Sequence, residues 1–347
     1  RAQSLNDTAI SVAAIGGEEI SRRNLSEMND YLRTVPGVNY IEIGNSHNAV
    51  VTRGIGVDPQ NEGLLSAATT GIYFGEVPIA GNSVQGGTTD LKMIDLERVE
   101  VLRGPQGTLF GAGALGGAVR NIPNAPVLNE LEGSIKTSYS NTAEKGGDNT
   151  KFEGVVNIPL IEDVLAVRAV AYRHDTSGYI ENIAGTILAT NGLVRSGVLA
   201  SDAVALDGGA ELYHNENNLG DAEHKGGRLS VLWSPVDDLK ITLQHVYQDV
   251  VQKGQPYVET NLDGYQQITL QFGDQGAIAN EESGHNDEIN ITNLMIEYDF
   301  GWASLLSSSA WLEEESSTYR DSSSFAGRPI VLEITADVEV FSQEVRL

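Results

Sequence analysis

Leu96 to Arg120 reads LERVEVLRGPQGTLFGAGALGGAVR. Val99 and Val101 fall on one side of its opening run and Glu100 on the other, which is the period of a strand. Gly104-Pro105 breaks that strand as a turn. Gly107, Gly111, Gly113, Gly116 and Gly117 then punctuate small residues too densely for a durable helix interior. Such a stretch suits a backbone that takes positive φ and packs closely against another surface. Gly111 to Gly116 also fits G-x-G-x-x-G, with Glu130 or Glu132 downstream as a candidate acidic partner. A dinucleotide site needs a helix after that glycine turn. Here a short segment ends at Pro123 and strands follow, so the glycines are expected to serve packing and bind no phosphate.

The run Glu97 to Pro105, followed by Gly107-Thr108-Leu109-Phe110-Gly111 and Gly116-Gly117-Ala118-Val119, resembles the plug-domain signature of TonB-dependent outer-membrane receptors. Two further pieces agree, in the family's order. Leu32 to Val38 resembles the early plug helix and turn, and Val51 to Gly56 resembles the central Arg-Gly strand. The resemblance covers about the first third of the chain. It implies an α+β plug followed by an antiparallel transmembrane β-barrel.

Composition is consistent with that class. The 347 residues carry a net charge of −26 and no cysteine, so there is neither a disulfide framework nor a thiolate metal site. No run of about eighteen apolar residues marks a spanning helix, while barrel strands give a weaker signal and stay open. The start, Arg1-Ala2-Gln3-Ser4, lacks the apolar core of a secretory signal. Charge is uneven: residues 1–125 hold a net −4 and residues 126–347 a net −22. Nucleic acid is a poor partner for such a surface. The acidity is read as a solvated face, with cation-holding loops as the sharper alternative.

Across residues 1–125 the pattern predicts a small α+β domain. It has a strand at Ala9–Ile15, an amphipathic helix through Ile20, Leu25, Met28 and Leu32 stopped by Pro36-Gly37, a strand pair around Gly44–Asn48, a strand at Ile72–Ile79 and a short helix at Leu91–Leu96. From Val127 onward alternation takes over. Eight candidate strands of roughly ten residues, the length a tilted membrane strand needs, begin near Leu131, Phe152, Leu165, Leu229, Leu239, Ile289, Trp302 and Val338. Short connections at Leu160–Val164, Ser234–Asp238 and Asp299–Gly301 alternate with long ones, as in outer-membrane barrels. Tyr139, Trp233, Tyr298 and Trp302 suit interfacial girdles. Leu165, Val167, Ala169, Leu229, Val231, Trp233, Ile241 and Leu243 are expected to face lipid, and Arg168, Arg228, Lys240 and Gln244 the lumen. An eight-stranded barrel is filled by its own side chains, whereas a plugged transporter needs about 22 strands. The domains are therefore read as 1–125, plug, and 126–347, the first part of a larger barrel.

No catalytic constellation emerges: the six histidines are scattered and no G-x-S-x-G elbow is present. No cofactor and no metal site is expected. His214 and His224 share an acidic stretch, and a solvated loop is the preferred reading of it. The plug resemblance implies that Asn45, Ser46, His47, Asn48, Gln60, Asn61 and Gln85 offer hydrogen bonds to a solute at the outer mouth, though the same residue types also favour ordinary turns. It further implies that Arg53 and Arg103 tie the plug to wall carboxylates, with Glu344 facing inward as the best partner and a Glu344–Arg346 pair as the alternative.

The function implied is TonB-dependent import of a bulky scarce nutrient, a ferric siderophore by family default or a glycan. The rival is a signal transducer or adhesin that binds without import. Implied partners are TonB with its inner-membrane complex, outer-membrane lipid and lipopolysaccharide, and the nutrient. A TonB box is expected before Arg1.

Overall fold

The computed structural model describes residues 11–25, 27–42, 48–56, 68–79, 91–110, 113–182, 187–188, 194–195, 216–254, 266–267, 284–321 and 331–347. The first unit is a mixed five-stranded sheet with short helices. Its strands are β1 (Val12–Gly16), β4 (Thr70–Phe74), β5 (Val77–Pro78), β6 (Leu96–Arg103) and β7 (Gly117–Pro123), in the order β1-β6-β7-β4-β5. The β4–β7 pair is parallel and the other pairs are antiparallel. A hairpin of β2 (Val38–Glu42) and β3 (Asn48–Thr52) completes it.

The expected amphipathic helix is two helices, α1 (Gly17–Arg23) and α2 (Met28–Leu32). Asn24 ends α1 in the left-handed conformation, φ 56°, and Glu27 caps α2 reciprocally with Asp30. Met28, Tyr31 and Leu32 are buried. A third helix, α3 (Gly107–Phe110), is one turn long. The expected helix at Leu91–Leu96 does not form. Residues 91–94 carry no regular structure, and Asp95 takes φ 59° just before β6. Its backbone groups bond elsewhere, as described below.

The glycine stretch enters β7 at Gly117 and no helix follows it. A β-carbon on Gly117 would stand 2.4 Å from the Leu102 carbonyl oxygen of β6, so the close approach of the two strands excludes any side chain there. Gly113 takes φ 88°. Gly111 lies outside the described residues.

The second unit is an antiparallel sheet of long strands: β8 (Glu132–Asn141), β9 (Asp148–Ile161), β10 (Leu165–Thr176), β15 (Ala222–Val236), β16 (Leu239–Lys253), β18 (Gly284–Asp299), β19 (Ser304–Asp321) and β20 (Val331–Arg346). Between them lie the short strands β11 (Ile180–Asn182), β12 (Ile187–Leu188), β13 (Val194–Arg195), β14 (Glu216–Leu219) and β17 (Gln266–Gln267). The long strands pair with their neighbours in sequence, β8 and β20 forming the two ends. All eight strands expected from alternation are present, several longer than expected. Strands of 10 to 18 residues are long for a globular sheet and suited to a tilted membrane wall.

Each face of this wall meets a different medium. On β15, Leu229 and Trp233 are about half exposed, while the alternating Arg228, Ser230 and Leu232 are buried. On β16, Leu243 is exposed and Val246 and Gln248 are buried. Gln244 turns inward and donates to Ser230 Oγ at 3.1 Å. Lys240 shares that side and is exposed beside the short turn. The outward face carries aromatic rings at two levels: Tyr298, Phe300 and Trp302 stack at the short-turn end, and Trp311 packs on Phe341 farther up. Above that second level the register sets carboxylates opposite one another, Glu313 against Glu339, and Glu315 against both Glu288 and Asp337.

The inward face closes on the first unit. Val246, Ile289, Ile291, Ala310 and Leu312 of the wall share one hydrophobic core with Ile20, Met28, Leu32, Ile72, Val99 and Val119. A smaller cluster joins Ile94 to Val170 and Tyr172. The first unit is thus seated against the concealed face of the wall by ordinary apolar burial.

Candidate functional site: the plug–wall contact

Residues 91–95, Leu-Lys-Met-Ile-Asp, lie along the wall as an irregular strap. Leu91, Met93 and Ile94 are buried, and the polar groups of the segment go to wall side chains. Lys92 N donates to Gln248 Oε1 at 2.9 Å, and the same oxygen accepts Tyr172 Oη at 2.7 Å. The Ile94 and Asp95 carbonyls accept weaker bonds from Arg228, at 3.4 and 3.3 Å.

Asp95 is the centre of the contact. Arg168 of β10 donates to both of its carboxylate oxygens, Nη2 to Oδ1 at 2.6 Å and Nε to Oδ2 at 2.7 Å. Arg228 of the neighbouring strand adds Nη2 to Oδ2 at 2.6 Å, and Asn124 donates to Oδ1 at 2.8 Å. The Asp95, Arg168 and Arg228 side chains are 6, 8 and 4 % exposed, so the triad is shielded from water. Arg168 also reaches Glu132 of β8 at 3.0 Å, which supplies a second carboxylate for the second guanidinium. Paired forks on one carboxylate give direction as well as attraction.

A second charged contact lies beside it. Lys92 Nζ meets Glu27, the cap of α2, at 3.1 Å, and Lys151 of β9 approaches the same carboxylate at 3.9 Å. The Lys92 ammonium holds the Glu27 carboxyl below its usual range, assisted by Lys151 and His174 and opposed by burial. A third contact joins Glu76 to Arg120 within the first unit, at 2.9 Å, and to Arg346 of β20.

The arginine tie expected of Arg53 and Arg103 is not formed among the described residues. Arg103 donates to the Pro36 carbonyl at 2.9 Å, within its own unit. Arg53 is exposed, with φ 53°, and its guanidinium lies against Gly104. Glu344 does point toward the first unit, lining a cavity of about 390 Å³ with Tyr73, Phe110 and Arg120. Its ion pair is the alternative one, with Arg346 at 3.0 Å. The physical reason is placement. Arg53 and Arg103 sit at the turn ends of β3 and β6, whereas the eight described wall strands make their buried ion pair at the start of β6. The charge sense is also opposite to expectation at the buried centre: the carboxylate belongs to the first unit and the arginines to the wall.

Asn45, Ser46, His47, Gln60, Asn61 and Gln85 lie outside the described residues. Asn48 opens β3 opposite Glu42 and is buried. His214 is also outside them, and His224 is buried on the inward face of β15. Among the described residues no group of three metal-ligating side chains stands together. Sequence reasoning singled out Arg168 and Arg228 as inward-facing, and it missed Asp95. The usable signal was a carboxylate closing a mostly apolar segment of the first unit, together with two arginines predicted to face inward on neighbouring wall strands.

Residues 4–118 match the family described as the TonB-dependent Receptor Plug Domain. Among curated relatives, the chain is 32 % identical over 173 residues to a probable TonB-dependent siderophore receptor, PirA, of Acinetobacter baumannii, covering 46 % of this chain and 22 % of that protein. It is 28 % identical over 178 residues to the ferripyoverdine receptor of Pseudomonas aeruginosa, covering 51 % and 20 %. Among solved structures, that of the ferric yersiniabactin uptake receptor FyuA from Yersinia pestis superposes with a TM-score of 0.69 at 18 % identity, over 99 % of this chain and 46 % of that one. At that identity the likeness is one of fold. The chain spans about a fifth of the length of the curated relatives and under half of the solved receptor. The glycine-rich β6–β7 signature and the match over residues 4–118 together make the first unit a TonB-dependent receptor plug domain, seated against an antiparallel wall of the fold found in the outer-membrane receptors it resembles.

Proposed function

We propose that the protein imports a ferric siderophore across the outer membrane at the expense of TonB-transmitted energy. In this reading residues 1–125 obstruct the lumen and residues 126–347 form part of its wall. The observation that carries it is the plug–wall contact: a separately folded sheet shares a core with the inward face of the wall and is held by a shielded Asp95–Arg168–Arg228 triad. A plug bound this firmly blocks passive diffusion, so passage requires work on the plug. The ligand class is taken from the names of the relatives, which are ferric-siderophore receptors. TonB acts from the periplasm through a segment upstream of the plug sheet, and the solute binds first at the outer mouth, where Asn45, Ser46, His47, Gln60, Asn61 and Gln85 are assigned.

The test is growth of iron-starved cells that carry or lack the full-length receptor, with one ferric siderophore as sole iron source. Receptor-dependent growth on at least one of enterobactin, yersiniabactin or pyoverdine supports the reading. Equal growth with and without the receptor on all three, together with receptor-dependent growth on a glycan, would replace it with the glycan alternative.

A further inference from the structure

Three connections at the long-loop end of the wall, the outer end of a membrane barrel, are joined to one another at their roots. They are the turn between β8 and β9, the connection from β10 to β15 and the connection from β16 to β18. The first two meet twice. Asn218 N donates to the Lys145 carbonyl at 3.1 Å, and Lys145 Nζ reaches Glu181 of β11 at 2.8 Å. On the other side, the Ser177 amide donates to Asn149 Oδ1 at 2.7 Å and its hydroxyl to Thr142 Oγ1 at 2.8 Å. The second and third share backbone bonds. Gly220 N donates to the Lys253 carbonyl and Lys253 N to the Asp221 carbonyl, both at 2.9 Å. Strand β11 also pairs in parallel with β17, Glu181 against Gln266.

Leu219 sits at the centre of these contacts. It stands opposite Ile180 in the β11–β14 pair, and the two are 4 and 0 % exposed. Neither belongs to the core that plug and wall share, so this is a separate apolar point above it. A β-carbon on Gly178 would stand 2.1 Å from the Leu219 carbonyl oxygen. One on Gly254, which takes φ 67°, would stand 3.0 Å from Leu219 Cδ2. Leu219 is therefore a peg in a socket kept open by a glycine of its own connection and a glycine of the next.

Surface loops ordinarily vary and move one by one. We infer that these three roots form a single preformed lip of the outer mouth, pegged by Leu219, and that the lip receives the solute as one unit. A lip that is ordered before binding loses less freedom when the solute arrives, which tightens the first capture. This rests on the import reading above and adds which part of the mouth is rigid and what holds it so.

The test uses the full-length receptor in lipid vesicles, with amide hydrogen exchange followed by mass spectrometry. Leu219→Ala loosens the peg from the second connection, and Gly254→Ala crowds it from the third. The informative amide of the first turn is Thr142, which bonds to the Gly147 carbonyl within that turn. In either variant, exchange about tenfold faster is expected at all three roots together, with the amides between β10 and β15 at Val167 and Ala169 unchanged. Radioiron-loaded enterobactin and yersiniabactin on chilled cells give the second readout, and binding weakened about fivefold or more is expected in both variants. Faster exchange confined to the connection that carries the substitution overturns the inference, and so does unchanged exchange. Joint loosening with unchanged binding overturns the capture role. If the unaltered receptor binds neither probe, the ferric-siderophore reading fails and the capture role falls with it, while exchange alone still decides whether the three roots are one unit.

Discussion

Asp95 of the plug and Arg168 of the wall meet fork to fork, at 2.6 and 2.7 Å, in a site that excludes water. Arg228 shares the carboxylate from the next strand. One plug residue thereby spans two wall strands that already pair with each other, Arg168 opposite Ser230 and Val170 opposite Arg228. Burying charges is unfavourable in itself, so the value of the triad lies in fixing position.

Asp95→Asn keeps the size of the side chain and removes its charge, leaving two guanidinium groups facing each other. The expected loss is about 3–5 kcal/mol in attachment of the plug, the usual consequence of stranding a buried partner. Thermal unfolding of the receptor in lipid vesicles checks this, together with leakage of a small dye. Unchanged stability and no leak would show that the triad carries little.

Glu27 gives a pH dependence. Its carboxyl is held below the usual glutamate range, chiefly by Lys92, with Lys151 and His174 contributing. A depressed folded-state value means the stabilisation is complete above the unfolded value of about 4.3 and is lost as pH falls through the lower folded value. The plug should therefore loosen as the solution is acidified below about pH 4. The Glu27→Gln protein should lack that component of the acid transition, measured by following unfolding against pH. Identical acid transitions in both proteins would contradict the assignment.

Gly117→Ala puts a methyl group 2.4 Å from the Leu102 carbonyl oxygen, so β6 and β7 must separate. A loss of about 1–3 kcal/mol is expected, the range for overpacking in a tight interior. Nucleotide binding should be absent both before and after the change, as measured by equilibrium dialysis with ATP and NAD. Retained stability, or bound nucleotide, would show that the glycine stretch has another role.

Leu229→Lys tests the lipid-facing register. Leu229 is half exposed on the outward face, between buried Arg228 and Ser230. A lysine near the bilayer midplane should cost about 2–4 kcal/mol, read from denaturant unfolding in vesicles. A neutral effect would place that position outside the hydrocarbon.

Higher up the same face, Glu315 stands opposite both Glu288 and Asp337. Like charges directly across a sheet are destabilising, so Glu315→Lys should gain about 0.2–1 kcal/mol. The gain should shrink at high salt, because these groups are exposed. A loss at low salt would show that the carboxylates are balanced by a cation.

The wall was legible in the sequence because its two faces meet different media. Alternation of Leu229, Val231 and Trp233 with Arg228 and Ser230 reports lipid on one side and plug on the other. The glycine stretch was legible too, since Pro123 closes it too soon for a dinucleotide helix. The strap was not. Leu91 to Asp95 has the composition of a helical turn, while its burial of Leu91, Met93 and Ile94 and its bonds to the wall are long-range contacts that no local pattern reports. Asp95 was invisible for a related reason: its partners lie 73 and 133 residues away, beyond any local pattern. Arg53 and Arg103 were chosen because they stand before glycines in matching strands, and that local feature does not name their partners; among the described residues Arg103 donates to Pro36 and Arg53 lies by Gly104.

Energised import is the central claim, and cellular accumulation tests it most directly. Cells bearing the full-length receptor are given radioiron-loaded enterobactin or yersiniabactin, with and without TonB. The account predicts equal binding on ice in both strains and, on warming, accumulation only where TonB is present. Binding without accumulation in either strain, or accumulation that does not depend on TonB, would contradict it.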